Sequence, residues 1–533
     1  MGGILDVSDA ALDEHGGRVQ LNLNRNWGSS QRLSFLGGAE IRQGHSASHS
    51  SRAYGYDDNF LTYNNIDYLN QYPIYGSLSS AQRIASGIGY GDVTNRFVSL
   101  FSTGSYNLHD RYTVTASARK DASNLFGVRT NQKAVPLWST GVAWSIAHEK
   151  FYGIKLLPLL KLRASYGYSG NVDNSRSAFA VIEYSTAPDP LTNQPFATIP
   201  APPNPELRWE KVGILNLGID FGFINNRISG SIEYYRKKAN DLLASAPTDP
   251  TTGFTSLVLN SAVIKGRGIE LQLQTINTTG IVKWSSVLLF SYTRNILDRY
   301  LPAIGTARSY AGAGTTFNPA VGKDAYALFS YRWAGLDPLT GEPQGYLNGQ
   351  VSKNYTAIRN ESLGSLVYHG SAAPIYSGAF RNTISWNQFS VSANIIFKLG
   401  YWFRRSSINY SSLASSWTTH SDYAMRWQKP GDEVHTSVPA FIYPLNSVRD
   451  EFYSFSEVLA ERADHVRLKD IRLSYTYSDS ATKLKWLKGG SVFLYADNIG
   501  LLWKANKHGL DPDYFSSGLP APRSISMGIN VAF

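Results

Sequence analysis

The sequence contains no cysteine, which removes disulfides, thiolate metal sites, iron–sulfur clusters and cysteine nucleophiles together. A chain without thiols suits an oxidising compartment such as a periplasm. Charged residues make up only 17% of the 533 positions, against about a quarter in an ordinary soluble protein. No stretch approaches the roughly 18 consecutive apolar residues that a spanning helix requires. The longest candidates, such as Ile154 to Leu162, are short and interrupted by Lys and Pro. A helical membrane protein is thereby excluded, whereas a membrane β-barrel, whose strands need only about 9–11 alternating residues, is not. The first residues, MGGILDVSDAALDEHGG, show neither the basic nor the apolar region of a secretory signal. The net charge of +10 is spread singly along the chain, and its longest basic run is Arg236-Lys237-Lys238. Such scatter argues against a nucleic-acid partner.

What the sequence does contain is apolar material for a large core (43%) and many aromatics (13%), arranged with period two. Leu215, Leu217, Ile219, Phe221 and Phe223 alternate with Asn216, Gly218, Asp220 and Gly222. Ile228, Gly230, Ile232 and Tyr234 face away from Arg227, Ser229, Ser231 and Glu233. Alternation at 180° per residue gives each strand one wet face and one apolar face. Counting such segments predicts about 14–16 antiparallel strands. The clearest hairpin runs from Phe221 to Tyr235 around Ile224-Asn225-Asn226-Arg227.

Long stretches rich in Ser, Asn, Tyr, Gly and Pro separate other strands, such as Ser46 to Asp92, Leu336 to Pro374 and Trp402 to Ala463. Short turns at one end and long loops at the other are the pattern of an outer-membrane barrel. Aromatics near strand ends (Tyr234-Tyr235, Trp284, Tyr292, Tyr331, Trp333, Trp386) fit interfacial girdles. The chain ends inside an alternating strand on Phe533, which resembles the assembly signal of bacterial outer-membrane proteins. A soluble array of β-sandwiches is the other architecture that alternation allows.

Separated motifs then carry a resemblance to a family. They include Arg111-Tyr112 with Arg119-Lys120-Asp121, Leu162-Arg163-Ala164-Ser165-Tyr166-Gly167, and Asn204-Pro205-Glu206-Leu207-Arg208-Trp209-Glu210. Further on come Gly266-Arg267-Gly268-Ile269-Glu270-Leu271, Arg426-Trp427-Gln428-Lys429-Pro430-Gly431-Asp432, Asp464-His465-Val466-Arg467-Leu468-Lys469 and Gly509-Leu510-Asp511-Pro512-Asp513. In this order they resemble the SusC/RagA class of TonB-dependent outer-membrane transporters, from about Arg96 to Phe533.

The resemblance implies an all-β antiparallel transmembrane barrel with long extracellular loops. Residues 1–533 would be its carboxyl-terminal portion, an incomplete part of a 22-stranded barrel, without signal peptide, TonB box or plug domain. It implies energised import of a glycan or oligopeptide across the bacterial outer membrane. The partners implied are a SusD-like surface lipoprotein, the TonB-ExbB-ExbD complex acting through the missing amino-terminal part, and the lipid bilayer. Alone, the chain is expected not to transport. A passive porin-like or adhesin-like surface barrel is the alternative.

No His-Glu-x-x-His, Gly-x-Ser-x-Gly or phosphate-binding glycine loop is present, so no enzyme, cofactor or metal is expected. Asp511-Pro512-Asp513 reads as a turn rather than a cation site, given the Pro between the carboxylates, and Glu206/Glu210 reads as structural. The candidate substrate-binding residues are Trp417 and Tyr423, aromatic rings on a Ser- and Arg-rich loop, which stack on sugar faces or peptide side chains.

Overall fold

The structure is a computed structural model of the chain. It describes residues 3–74, 81–124, 134–171, 179–185, 189, 191–192, 194–223, 227–301, 305–478, 489–515 and 519–532. Fifteen strands form one sheet in sequence order, and every neighbouring pair is antiparallel. They are β1 (Gly3–Trp27), β2 (Gln31–Tyr56), β3 (Gly89–Leu108), β4 (Tyr112–Ser123) and β5 (Ala134–Ser145). Next come β6 (Leu159–Asn171), β7 (Glu210–Gly222), β8 (Ile228–Pro247), β9 (Ser256–Thr279) and β10 (Val282–Tyr300). The last are β11 (Tyr376–Trp386), β12 (Phe389–Leu399), β13 (His465–Ser478), β14 (Gly489–Lys504) and β15 (Ser524–Ala532). The order is linear: among the described residues β1 pairs only with β2 and β15 only with β14. The count falls within the expected range.

Register follows from the alternation. Leu162, Ile219 and Ile232 stand side by side across β6, β7 and β8, and the next row is Ala164, Leu217 and Tyr234. A slip of one residue would send all of these to the other face. Leu217, Ile219 and Ile232 remain exposed, as do Val19, Leu21, Leu100 and Val142 on earlier strands. Such a continuous apolar face is costly in water and fits lipid. Short turns close one end of the sheet. Between β3 and β4 the turn residues His109 and Asp110 both have φ of 55°, and Arg111 N–H donates to the Leu108 carbonyl at 3.0 Å. That is the primed turn geometry matching the twist of a hairpin.

Two expectations change. The stretch from Ser46, read from composition as a connection, is strand as far as Tyr56, because β1 and β2 pair from Gly3↔Tyr56 to Trp27↔Gln31. Beyond the apolar band both faces meet water, so Asp9, Asp13, His45 and His49 carry no alternation although the backbone still pairs. Of the proposed girdle, Trp284 and Trp386 do sit exposed near the short turns, on paired strands. Tyr235 instead lies over Gly268 on the polar face, and Tyr331 is 1% exposed inside a folded cap with Trp333 packed against the same core.

That cap grows from two long connections at the other end of the sheet, 301–375 and 400–464. It contains the helices α1 (Ala307–Gly312), α2 (Tyr355–Asn360), α3 (Tyr410–Ser416) and α4 (Ser447–Ser454), with short strand pairs between them. Its core gathers Ala307, Tyr310, Phe329, Tyr331, Tyr355 and Phe452. The Tyr331 and Phe452 rings stack at 5.3 Å. A Cβ on Gly345 would lie 2.6 Å from the Phe452 ring, so the ring needs that glycine's backbone beneath it. Sequence composition suggested open loops here; tertiary burial instead orders them.

Candidate functional site

The face opposite the apolar one is polar and cross-linked. Arg163 on β6 reaches across β7 to Asp220 and to Glu233 on β8, both at 2.7 Å. It crosses at Gly218, where a Cβ would lie 3.1 Å from the guanidinium. Asn216 donates to Glu233 at 3.2 Å. Tyr235 passes over Gly268 to meet the Thr293 hydroxyl at 2.7 Å. Farther round, Asn394 donates to Asp470 at 2.9 Å, and Arg381 stands 3.4 Å from the same carboxylate. Arg119 pairs with Asp121 at 2.6 Å and donates to Ser99 at 2.8 Å. Such a wall wets a lumen and offers charge to whatever fills or crosses it. Sequence reasoning did not single out these ion pairs; the polar positions of the alternation, Asn216, Asp220 and Glu233 among them, were the available signal.

At the cap end, several motifs turn out to be joints. Leu207 and Trp209 are buried together, and Asn204 donates to the Val258 carbonyl at 2.6 Å. Glu210 accepts from the Leu243 backbone at 3.0 Å and from Asn171 at 3.1 Å, a structural use of that carboxylate. Asp511-Pro512-Asp513 is a turn, closed by Tyr514 N–H to the Asp511 carbonyl at 3.0 Å. Its carboxylates are taken by the protein's own cations: Arg467 meets Asp511 at 2.5 Å, and Lys398 meets Asp513 at 2.7 Å. Buried His465 lies 3.3 Å from Asp513. Burial works to raise the Asp513 pKa, but His465 and Lys398 prevail and hold it well below the usual carboxylate range. Two motifs far apart in sequence thus form one buried charge cluster.

Trp427 is buried against Leu336 and Ala440, its indole N–H donating to Glu433 at 3.1 Å. Asp432 accepts from the backbone of Gln428 and Lys429, both at 3.0 Å, and these bonds lower its pKa. Arg404 lies in the cap core without a carboxylate partner among the described residues. Its guanidinium donates to the carbonyls of Ala311 at 2.8 Å and Phe329 at 2.5 Å, and burial pushes its pKa down to about 10.

Trp417 follows α3 with a left-handed φ of 57° and is 86% exposed. A bulky residue in that region is strained. Tyr423 lies in the turn Ser421–Met425, 37% exposed, with the Arg426 guanidinium 4.1 Å above its ring. The turn is anchored by Asp422, which accepts from Arg405 and Ser407, each at 2.6 Å. Tyr423 packs edge-on to Tyr410 at 6.4 Å. No ring contact joins Trp417 to Tyr423 among the described residues, so the two are separate exposed rings. Phe533 lies outside the described residues.

A sheet with an exposed apolar face, a charged polar face, short turns below and a folded cap above defines an outer-membrane β-barrel protein. Residues 6–499 match the family described as TonB dependent receptor-like, beta-barrel, and the chain belongs to that family. It is 27% identical to TonB-dependent receptor P26 of Formosa agariphila, over 95% of this chain and 52% of that protein. It is 26% identical to TonB-dependent receptor SusC of Bacteroides thetaiotaomicron, over 82% of this chain and 44% of that protein. The fold is also that of a chain in the structure of the RagAB peptide transporter. The TM-score is 0.77 at 20% identity, covering 99% of this chain and 56% of that one. The chain therefore spans about half the length of the curated relatives it matches.

Proposed function

We propose that residues 1–533 are the carboxyl-terminal barrel and cap of a longer transporter that imports a large nutrient, a glycan or an oligopeptide. The observation that carries this is the pairing of a charged polar wall with a structured cap, in a chain matching half of SusC-like relatives. A SusD-like surface lipoprotein would sit over the cap. The TonB-ExbB-ExbD complex would act through a plug and TonB box outside these residues, and the wall supplies the lumen but not the gate. Trp417 and Tyr423 are the proposed ligand contacts: Trp417 stands free on the cap surface, and Tyr423 presents part of its ring beneath Arg426, with Phe441 and Tyr443 also exposed on the cap. The structure of the RagAB peptide transporter brings an oligopeptide into view, and exposed aromatic rings, which stack on sugar faces as well as on peptide side chains, keep a glycan beside it.

Uptake of labelled oligopeptide and labelled glycan is measured in cells with the partner lipoprotein co-expressed. They carry either this chain alone or a full-length parent containing it. Import abolished by an uncoupler is expected from the parent and none from the chain alone. Uncoupler-insensitive leakage through the chain would support the porin-like alternative. Energised uptake by the chain alone would overturn the division of labour.

A further inference from the structure

Among the described connections at the short-turn end, one differs from its neighbours. The turns 28–30, 109–111, 280–281 and 387–388 are minimal, whereas β5 and β6 are joined by 146–158. This longer segment contains a 3-10 turn at Ile146–His148 and is held by the Tyr152 hydroxyl donating to the Leu157 carbonyl at 2.6 Å. It exposes Phe151 (71%), Ile154 (56%) and Leu156 (60%), interleaved with Lys150 and Lys155. Apolar and basic side chains alternating on an exposed loop suit a membrane interface, where rings and alkyl groups dip inward and ammonium groups stay at the headgroups.

The loop continues into a concavity of the apolar face. The Phe151 ring lies 6.4 Å from that of Trp144. Trp144 belongs to the row Tyr112, Trp144, Leu162, Ile219, and the next row is Val114, Val142, Ala164, Leu217. Every position in the two rows is bulky except Ala164. A groove of about 580 Å³ opens over it, walled by Trp144, Leu162 and Leu217. At its mouth Arg111 is paired with Glu149 at 3.3 Å, and Arg32 with Asp110. Lys150 and Lys155 have no carboxylate partner among the described residues.

We propose that this groove and loop hold one phospholipid of the periplasmic leaflet. An acyl chain lies over Ala164, and the phosphate is met by Lys150 and Lys155. The groove's lining is almost wholly apolar and suits an acyl chain, and Lys150 and Lys155, on the loop whose Phe151 meets Trp144 of the groove wall, supply the positive charge that complements a phosphate. Its place beside the short turns, opposite the cap, selects a phospholipid over the lipopolysaccharide of the outer leaflet. The site is independent of what the transporter carries.

The full chain, purified from outer membranes in mild detergent, is assayed for bound phospholipid by native mass spectrometry. It is then equilibrated with phosphatidylglycerol or phosphatidylcholine. One retained phospholipid is expected. Ala164→Phe, which fills the groove, should lower retention about tenfold by removing methylene contacts. Val391→Phe, on the same face but remote, should not. Lys150→Gln with Lys155→Gln should retain lipid but lose the preference for phosphatidylglycerol, and this pair leaves the wall untouched should Ala164→Phe misfold. Undiminished retention in Ala164→Phe, equal loss in Val391→Phe, or lipopolysaccharide as the retained lipid would overturn the proposal.

Discussion

Leu100 in the wall stays 58% exposed, while Phe403 in the cap is 0% exposed, although both are large apolar side chains of one chain. The wall turns such residues outward and its charges inward, where Arg163 bridges Asp220 and Glu233. The cap does the reverse, burying Phe329, Tyr331 and Phe452 beneath a polar surface. The difference is one of solvent. In lipid the backbone must be satisfied internally, and the ladder does this without any apolar core. In water the cap needs hydrophobic burial and closed ion pairs to order its long segments. The two regions should therefore respond to different perturbations.

The largest local effect is expected from Arg467→Ala, at the joint where wall strand β13 meets the segment 505–515. The change strips the partner from Asp511 inside a cluster where Arg467 itself is 5% exposed, a loss of about 3–5 kcal/mol for a broken buried pair. Hydrogen exchange should rise in 505–515 while β6 to β9 keep their protection; loss spread through the wall would break the comparison. Phe452→Ala opens a cavity in the cap core and should cost about 3–4 kcal/mol there. Protease sensitivity should increase within 305–374 and 401–463, with the heat-modifiable migration of the barrel unchanged.

The wall has the complementary weakness. Leu217→Arg puts a charge on the apolar face and should cost about 2–4 kcal/mol near the bilayer midplane, read as lower outer-membrane levels. The neighbouring Asn216→Ser, on the other face, removes one hydrogen bond to Glu233 and should cost only about 1 kcal/mol. Equal effects at the two positions would mean that the faces are not distinct.

The cap should also respond to pH. Burial, aided by the Arg404 charge, pushes His369 down to about 4 from its ordinary 6.5. Between those values the unfolded cap binds a proton that the folded cap refuses, so stability falls as pH drops from 6.5 towards 4. His369→Gln should flatten cap melting across that window, and an unchanged slope would assign the dependence to other groups.

The wall was legible in the sequence because a two-faced strand writes its environment into every second residue. Leu215 to Phe223 and Ile228 to Tyr234 pair as their alternation requires. The far ends of β1 and β2 were not legible, since Asp9 and His49 pair where both faces are wet. The cap was hidden because its order comes from contacts distant in sequence, such as Arg308 with Glu451 at 2.7 Å. Asp511-Pro512-Asp513 is the turn that its proline implied, but nothing in its motif marked that Arg467 and Lys398 grip the carboxylates. Arg404, pinned by two carbonyls, belongs to no periodicity and gave no signal.

The absence of cysteine permits the most direct measurement. Single cysteines are placed in turn at 215 to 221 of the chain in outer membranes, then treated with a water-soluble maleimide or with a fluorophore quenched by lipid-borne spin labels. Alternation is expected: quenching by lipid at 215, 217, 219 and 221, and aqueous labelling at 216, 218 and 220. Uniform aqueous labelling, or quenching at the even positions, would contradict a β7 that faces lipid on one side and a wet lumen on the other.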